Sequence, residues 1–192
     1  MTEWNFGDIL DAIEPVLPPA APVLIHGDRS ITWPEMGGRS NNLARALRDR
    51  GIEPGAKVAF YMRNRPEYGE AMAACFKARL THVNINYRYK PDEVHYIFDD
   101  SDAEVIVYSS EFRDCIDELK ERLGKVRIFV EIGDPAAIAP FAEPYEALAA
   151  QGDKKRQRDR HVGKAEHETG ADHAEPGHQH QREQQRSDQR AD

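Results

Sequence analysis

Apolar residues recur at helix or strand spacing through the first 150 positions of the chain and then almost disappear. The pattern predicts a short helix from Asn5 to Glu14, stopped near Pro15, and an extended connector through Pro18, Pro19 and Pro22. Val23-Leu24-Ile25-His26 reads as a strand, Gly27-Asp28 as a turn and Ser30 to Thr32 as the hairpin partner. Thr32-Trp33-Pro34-Glu35 opens a helix as a capping box and carries it through Leu43, Ala44 and Leu47 to Gly51. Lys57 to Met62 is apolar without alternation, as suits a strand covered on both faces. A second cap at Asn64 precedes a helix with Tyr68, Met72, Cys75, Phe76 and Leu80 on its apolar positions. Then follow a strand (Thr81 to Ile85), a helix from Pro91 and a strand (Glu104 to Tyr108). A helix from Ser110 to Gly124, a strand (Val126 to Ile132) and a helix (Glu143 to Ala150) complete the series.

Strictly alternating strands and helices from Lys57 onward predict the α/β class: a parallel sheet with right-handed crossovers and helices on its faces. The alternation leaves strand order open.

Composition divides the chain. It has 192 residues and a formal charge of −8. Residues 152–192 hold nine basic and nine acidic residues, so all of the net charge lies before them. Their hydrophobic residues are Val162 and four alanines, and all seven glutamines of the chain stand at 151 or later. Such a segment buries too little apolar surface to offset its ordering entropy. The expected division is a folded unit over 1–150 and a disordered polar tail over 151–192.

Several classes are set aside by the same reading. No stretch approaches the ~18 apolar residues of a membrane span. The start, Met1-Thr2-Glu3-Trp4, has no basic region leading into an apolar run, so no signal peptide is expected and the chain is placed in the cytoplasm. Cys75 and Cys115 are too few for a disulfide framework and are read as buried thiols. An acidic folded part argues against nucleic-acid binding.

Candidate chemistry is sparse. No glycine-rich phosphate loop follows any predicted strand: the strand ends read Arg63-Asn64-Arg65, Asn86-Tyr87-Arg88-Tyr89 and Ser109-Ser110-Glu111. Gly37-Gly38 lies within a helix and is given a packing role. His161, His167, His173, His178 and His180 crowd the tail, where weak Zn²⁺ or Ni²⁺ binding competes with a simple solvated stretch. His26, His82 and His95 lack an evident nucleophile or acid and are read as structural. Asp99, Asp100 and Asp102 are read as a solvated helix end, not a metal cluster. The most unusual segment is Asn84-Ile85-Asn86-Tyr87-Arg88-Tyr89, at the carboxyl end of a predicted parallel strand, where such folds place ligands. It is either a contact for an extended polar ligand or a turn capped by asparagine whose tyrosines pack on a neighbouring domain.

The run Asn64-Arg65-Pro66-Glu67-Tyr68, the helix to Phe76-Lys77-Ala78-Arg79, then Val83 through Tyr89 and Glu93, Tyr96 and Asp99 resemble the N-terminal region of acyl-CoA synthetases. These enzymes belong to the adenylate-forming, AMP-binding superfamily. The pattern is most similar to bacterial fatty-acid or steroid side-chain CoA ligases, with Gly27 through Trp33 resembling their early hairpin. The resemblance implies ATP-dependent ligation of a carboxylic acid, a fatty acid being the expected class, to CoA through an acyl-adenylate. It implies ATP, Mg²⁺ and CoA as the family's cofactor and substrates, and a homodimer for the intact enzyme. It places Tyr87 and Arg88 near the pantetheine arm of CoA and gives no catalytic or metal-binding residue.

The family's Thr/Ser/Gly-rich phosphate loop, its adenine-binding aromatic motif, its ribose-binding Asp and its catalytic Lys are missing from the sequence. Without them nothing positions MgATP or stabilises the transferring phosphate. The chain is therefore expected to be a truncated ligase, inactive alone. One alternative is a non-catalytic binding or dimerisation module derived from such a ligase. Another is a small metal-responsive protein using the tail histidines. Because Phe, Leu, Ile, Met and Val share U at the second codon base, a tail with one of them is what a shifted frame of a GC-rich gene can produce. A fragment of this kind is also expected to expose apolar surface that a missing domain would cover.

Overall fold

The computed structural model describes residues 4–150. The tail, its histidines and the 151–192 segment lie outside the described residues. The helices are α1 (Phe6–Ile13), α2 (Trp33–Asp49), α3 (Pro66–Lys77), α4 (Pro91–Asp100), α5 (Arg113–Leu119) and α6 (Tyr145–Ala150). The strands are β1 (Pro22–His26), β2 (Arg29–Thr32), β3 (Lys57–Tyr61), β4 (Thr81–Asn84), β5 (Ala103–Ser109), β6 (Ile128–Ile132) and β7 (Glu143–Pro144).

The α/β expectation holds. β1 and β2 form an antiparallel hairpin, and the other strands form a parallel sheet in the order β4-β3-β5-β6-β7. Alternation along β3 divides the core. Val58 and Phe60 face a layer from α2, α3 and α6, with Leu43, Leu47, Ala74, Cys75, Tyr145 and Leu148 buried there. Ala59 and Tyr61 face Val94 and Phe98 of α4 and Ile116 and Leu119 of α5. Both faces are covered, which is why these strands read as continuous apolar runs.

Local signals are met to differing degrees. Thr32 Oγ1 accepts from the Glu35 amide at 3.4 Å, one half of the predicted capping box. Gly51 ends α2 with φ +76°, a conformation costly for residues with a Cβ. The cap predicted at Asn64 is displaced: Arg65 is the residue before α3, in extended conformation (φ −157°, ψ 163°), because Pro66 occupies the first helical position and excludes the helical region before it. The helix predicted from Ser110 begins as a 3₁₀ turn, Ser110–Phe112, before α5. Pairing along the sixth strand starts at Ile128, not Val126. Glu143 and Pro144, read as helix, form the edge strand β7; proline, which cannot donate to a ladder, is tolerated at that edge and α6 starts after it.

The packing role of Gly37 is borne out, since a Cβ there would lie 2.2 Å from the Glu14 carboxylate. Cys75 is buried, and burial pushes its thiol pKa up. Cys115 is only half-buried, unlike the reading from sequence. Its place on α5 puts it beside Tyr61, and burial raises its thiol pKa as well. His82 packs between aromatic rings, with centroids 5.8 Å from Phe60 and 5.9 Å from Phe76. Asp99 and Asp102 hold Lys125 at 3.3 and 2.7 Å at the end of α4. No helix among the described residues is long and apolar enough to cross a membrane.

Candidate functional site

Because the sheet is parallel, every strand ends at one edge. The chain passes from β3 outward to β4, then returns across β3 to β5 and continues through β6 to β7. The order therefore reverses between β3 and β5, and loops leaving those strands diverge to open the position where open α/β sheets bind ligands. Here the position is crossed by side chains. Arg63 Nε donates to Glu111 Oε2 at 3.0 Å, and an Arg65 terminal nitrogen donates to Ser109 Oγ at 3.2 Å. Both contacts join the end of β3 to the end of β5.

Tyr87 stands beside this crossing, at the end of β4. The Arg63 guanidinium carbon lies 4.6 Å from its ring centroid and that of Arg88 lies 5.4 Å away. Both are within cation–π range. The backbone that presents them is held locally: Asn86 Oδ1 accepts from the Arg88 amide at 3.0 Å, and Asn86 O accepts from the Tyr89 amide at 3.0 Å. Asn86 thus caps the turn, and beside it Arg88 is exposed. Among the described residues Arg88 has no carboxylate partner, whereas Arg63 is committed to Glu111. The sequence-predicted pair Tyr87 and Arg88 is brought together; Arg63, Arg65 and Glu111 were missed. The signal for them is the Arg63-Asn64-Arg65 run at a strand end, two cations placed where a parallel sheet presents its loops.

Beneath this edge lie ionisable groups with closed partnerships. Glu67 accepts from Arg65 at 2.7 Å and Arg29 at 3.0 Å. Burial would raise its pKa, but hydrogen bonds from Arg65, its own amide and Arg29 bring it down to about 2. Glu70, fully buried, accepts from Arg39 at 2.9 Å and from the Tyr145 hydroxyl at 3.0 Å. Its pKa is raised because burial outweighs Arg39 and Tyr145. Glu131 is lowered: burial opposes ionisation, while Arg113, the Ala139 amide and the Tyr108 hydroxyl favour it more strongly. These carboxylates tie elements together. Among the described residues no group of three His, Cys, Asp or Glu side chains is arranged to hold a metal ion.

The site thus presents an aromatic ring flanked by guanidinium groups at the carboxyl edge of a parallel sheet. It can stack on and attract an extended anionic ligand, and among the described residues no glycine-rich run leaves β3, β4 or β5 to cradle a phosphate.

Comparison with known proteins fits this arrangement. The family model described as AMP-binding enzyme matches residues 16–188. The chain is 36% identical over 156 residues to the 3-oxocholest-4-en-26-oate–CoA ligase of Rhodococcus rhodochrous, covering 79% of this chain and 28% of that ligase. Among solved structures, a putative long-chain-fatty-acid CoA ligase from Rhodopseudomonas palustris superposes with a TM-score of 0.70 at 26% identity, covering 77% of this chain and 37% of the other. The N-terminal domain of FACL13 from Mycobacterium tuberculosis shares the fold, with a TM-score of 0.70 at 23% identity over 82% of this chain and 38% of that one. The chain spans little more than a quarter of the length of the curated ligase, and what it shares with these proteins is the parallel sheet with its covering helices. It belongs to the AMP-binding enzyme family.

Proposed function

We propose that this chain carries the opening α/β unit of a cytoplasmic fatty-acyl or steroid side-chain CoA ligase, and that alone it does not form acyl-CoA. The intact reaction would join a carboxylic acid to CoA at the expense of ATP through an acyl-adenylate, with Mg²⁺. The similarity to a ligase of 3-oxocholest-4-en-26-oate over 28% of that enzyme's length carries this reading. The strand ends support it, because they supply ligand-facing cations without a phosphate loop or a catalytic base.

In the same reading Tyr87 and Arg88 contact CoA. Arg88, exposed and without a carboxylate partner among the described residues, pairs with an anionic group, and Tyr87 supplies the surface along which the chain of the ligand lies. A homodimer of the intact enzyme belongs to this proposal as well. The boundary near residue 151 is supported by the change in composition, although the family match runs across it.

The test is calorimetric titration of the full chain with CoA. Heat of binding that weakens roughly tenfold in Arg88→Ala, the scale of one charge-assisted contact, is expected. Equal affinity of wild type and Arg88→Ala, or no binding by either, contradicts the assignment of this pair.

A further inference from the structure

Arg63 and Arg65 follow the same strand end and are held differently. Arg65 gives Nε to Glu67 at 2.7 Å and a terminal nitrogen to Ser109 at 3.2 Å, and Glu67 is itself buried. Arg63 makes one bond, from Nε to Glu111 at 3.0 Å, and its two terminal nitrogens have no hydrogen-bond partner among the described residues. The side chains of that pair are 58 and 44% exposed. An exposed pair joined by a single bond contributes little to stability, so fastening β3 to β5 is left to Arg65.

The place of Arg63 is set by Tyr87. Its guanidinium carbon lies 4.6 Å from the ring centroid, and that of Arg88 lies 5.4 Å from the same centroid. Two cations sharing one ring repel each other, and Glu111 neutralises one of them. Arg88 has no carboxylate partner among the described residues. In a chain of net charge −8, two exposed guanidinium groups beside one ring make a locally cationic surface. The sheet presents it where the strand order reverses between β3 and β5.

We propose that Arg63 is a phosphate seat and that Glu111 is the counter-ion which a phosphate displaces. The terminal nitrogens of Arg63 form a fork that matches two oxygens of a phosphate. A phosphate there meets the Glu111 carboxylate across the same guanidinium, and the two anions repel. Glu111, exposed and held by one bond, turns to solvent at small cost. The ligand class is an extended molecule with at least two anionic groups, one at Arg63 and another at Arg88, and with its intervening part along Tyr87. Arg63 and Glu111 therefore act on binding in opposite directions, although they form one ion pair. In a bridge that only ties β3 to β5, losing either partner has the same effect.

This inference rests on the reading of Tyr87 and Arg88 as ligand contacts and adds a second cation and its counter-ion. Calorimetric titration of the full chain with CoA, and separately with inorganic pyrophosphate, tests it in wild type, Arg63→Ala, Glu111→Gln, Arg88→Ala and Glu53→Gln. Glu53 is an exposed carboxylate before the opposite end of β3, paired with Arg48 at 3.3 Å, and controls for net charge. Circular dichroism verifies the fold of each variant. The expected result is CoA binding weakened about tenfold by Arg63→Ala. Glu111→Gln tightens it roughly two- to fivefold, and Glu53→Gln leaves it unchanged. CoA binding weakened by Arg88→Ala, yet unmoved or moved in one direction by both Arg63→Ala and Glu111→Gln, overturns the seat and leaves the Tyr87–Arg88 reading standing. Equal tightening in Glu53→Gln reduces the effect to net charge and overturns the counter-ion. Pyrophosphate binding with the opposed responses, without CoA binding, supports the seat and overturns CoA as its ligand. No binding of either compound overturns both readings.

Discussion

The Tyr145 hydroxyl donates to Glu70 Oε2 at 3.0 Å, joining the first residue of α6 to the middle of α3. Arg39 completes the link, holding Glu70 at 2.9 Å and Glu146 through two parallel bonds of 2.9 and 2.8 Å. Asn42 adds a bond of 2.9 Å to the Ala149 carbonyl. The last described helix is thus fastened to the body by a buried polar network as well as by Leu148 and Ala149. Removing the hydroxyl with Tyr145→Phe leaves Glu70 one partner fewer in a site without water contact. A loss of about 1–2 kcal/mol in urea unfolding is expected. An unchanged midpoint would show that α6 is held by apolar packing alone.

Acid stability reports on Glu67. Its folded pKa of about 2 lies below the ordinary carboxylate value of 4.5, so ionisation of Glu67 favours the folded state. That contribution is complete above pH 4.5 and is lost as pH falls towards 2. After allowance for the exposed faces of Arg29 and Arg65, it is worth about 2 kcal/mol. Glu67→Gln is expected to lower stability at pH 7 and to flatten the unfolding free energy between pH 4.5 and 2. Glu70, whose raised pKa works in the opposite sense through burial and in part through the Glu67 charge, moves toward its ordinary value in the variant and adds to the change in the acid limb. Parallel acid limbs for wild type and variant would contradict the Arg65–Glu67–Arg29 assignment.

Gly7→Ala tests the docking of α1. The new methyl would meet backbone, 2.6 Å from Phe76 O and 2.7 Å from Lys77 Cα, and neither can swing away. The helix must lift, which loosens the Lys77–Asp11 contact. The expected cost is about 2 kcal/mol, with faster amide exchange in residues 6–13 and none of that acceleration in β3 or β5. Unchanged exchange over α1 would show that the helix is not seated on α3 as described.

What could be read from the chain follows from the range of each interaction. Thr32, Gly51 and the strand–helix alternation act over a few residues, so they are visible locally. The pair Arg63 and Glu111 is 48 residues apart in sequence and meets only because β3 and β5 are neighbours, which alternation alone does not tell. Helical spacing in residues 5–14 gives the helix but not which side is inward. That is decided by Lys77, which ordinary patterning would send to solvent and which here is buried among Asp11, Glu14 and Asn41. Tyr87 and Arg88 stand out in the sequence as aromatic and cationic residues at the carboxyl end of a parallel strand, and the resemblance to acyl-CoA synthetases adds only that CoA is the expected contact. The edge strand β7, two residues long, carries no periodic signal at all.

The gene provides a separate check on the polar segment. If a shifted reading frame generated residues 151–192, an adjacent frame downstream of codon 150 encodes a Gly-rich segment ending in Pro-Lys. Nucleotide sequence lacking it in both adjacent frames would reject that origin and leave the composition of the segment to be explained otherwise.

As proposed, the unit is part of an acyl-CoA ligase and holds too little of the machinery to turn over alone. The direct measurement is release of AMP and pyrophosphate by the purified 192-residue chain supplied with ATP, Mg²⁺, CoA and medium- or long-chain fatty acids or a steroid side-chain acid. Product formation indistinguishable from a protein-free control is predicted. Acid-dependent AMP release that scales with the concentration of the chain would contradict it.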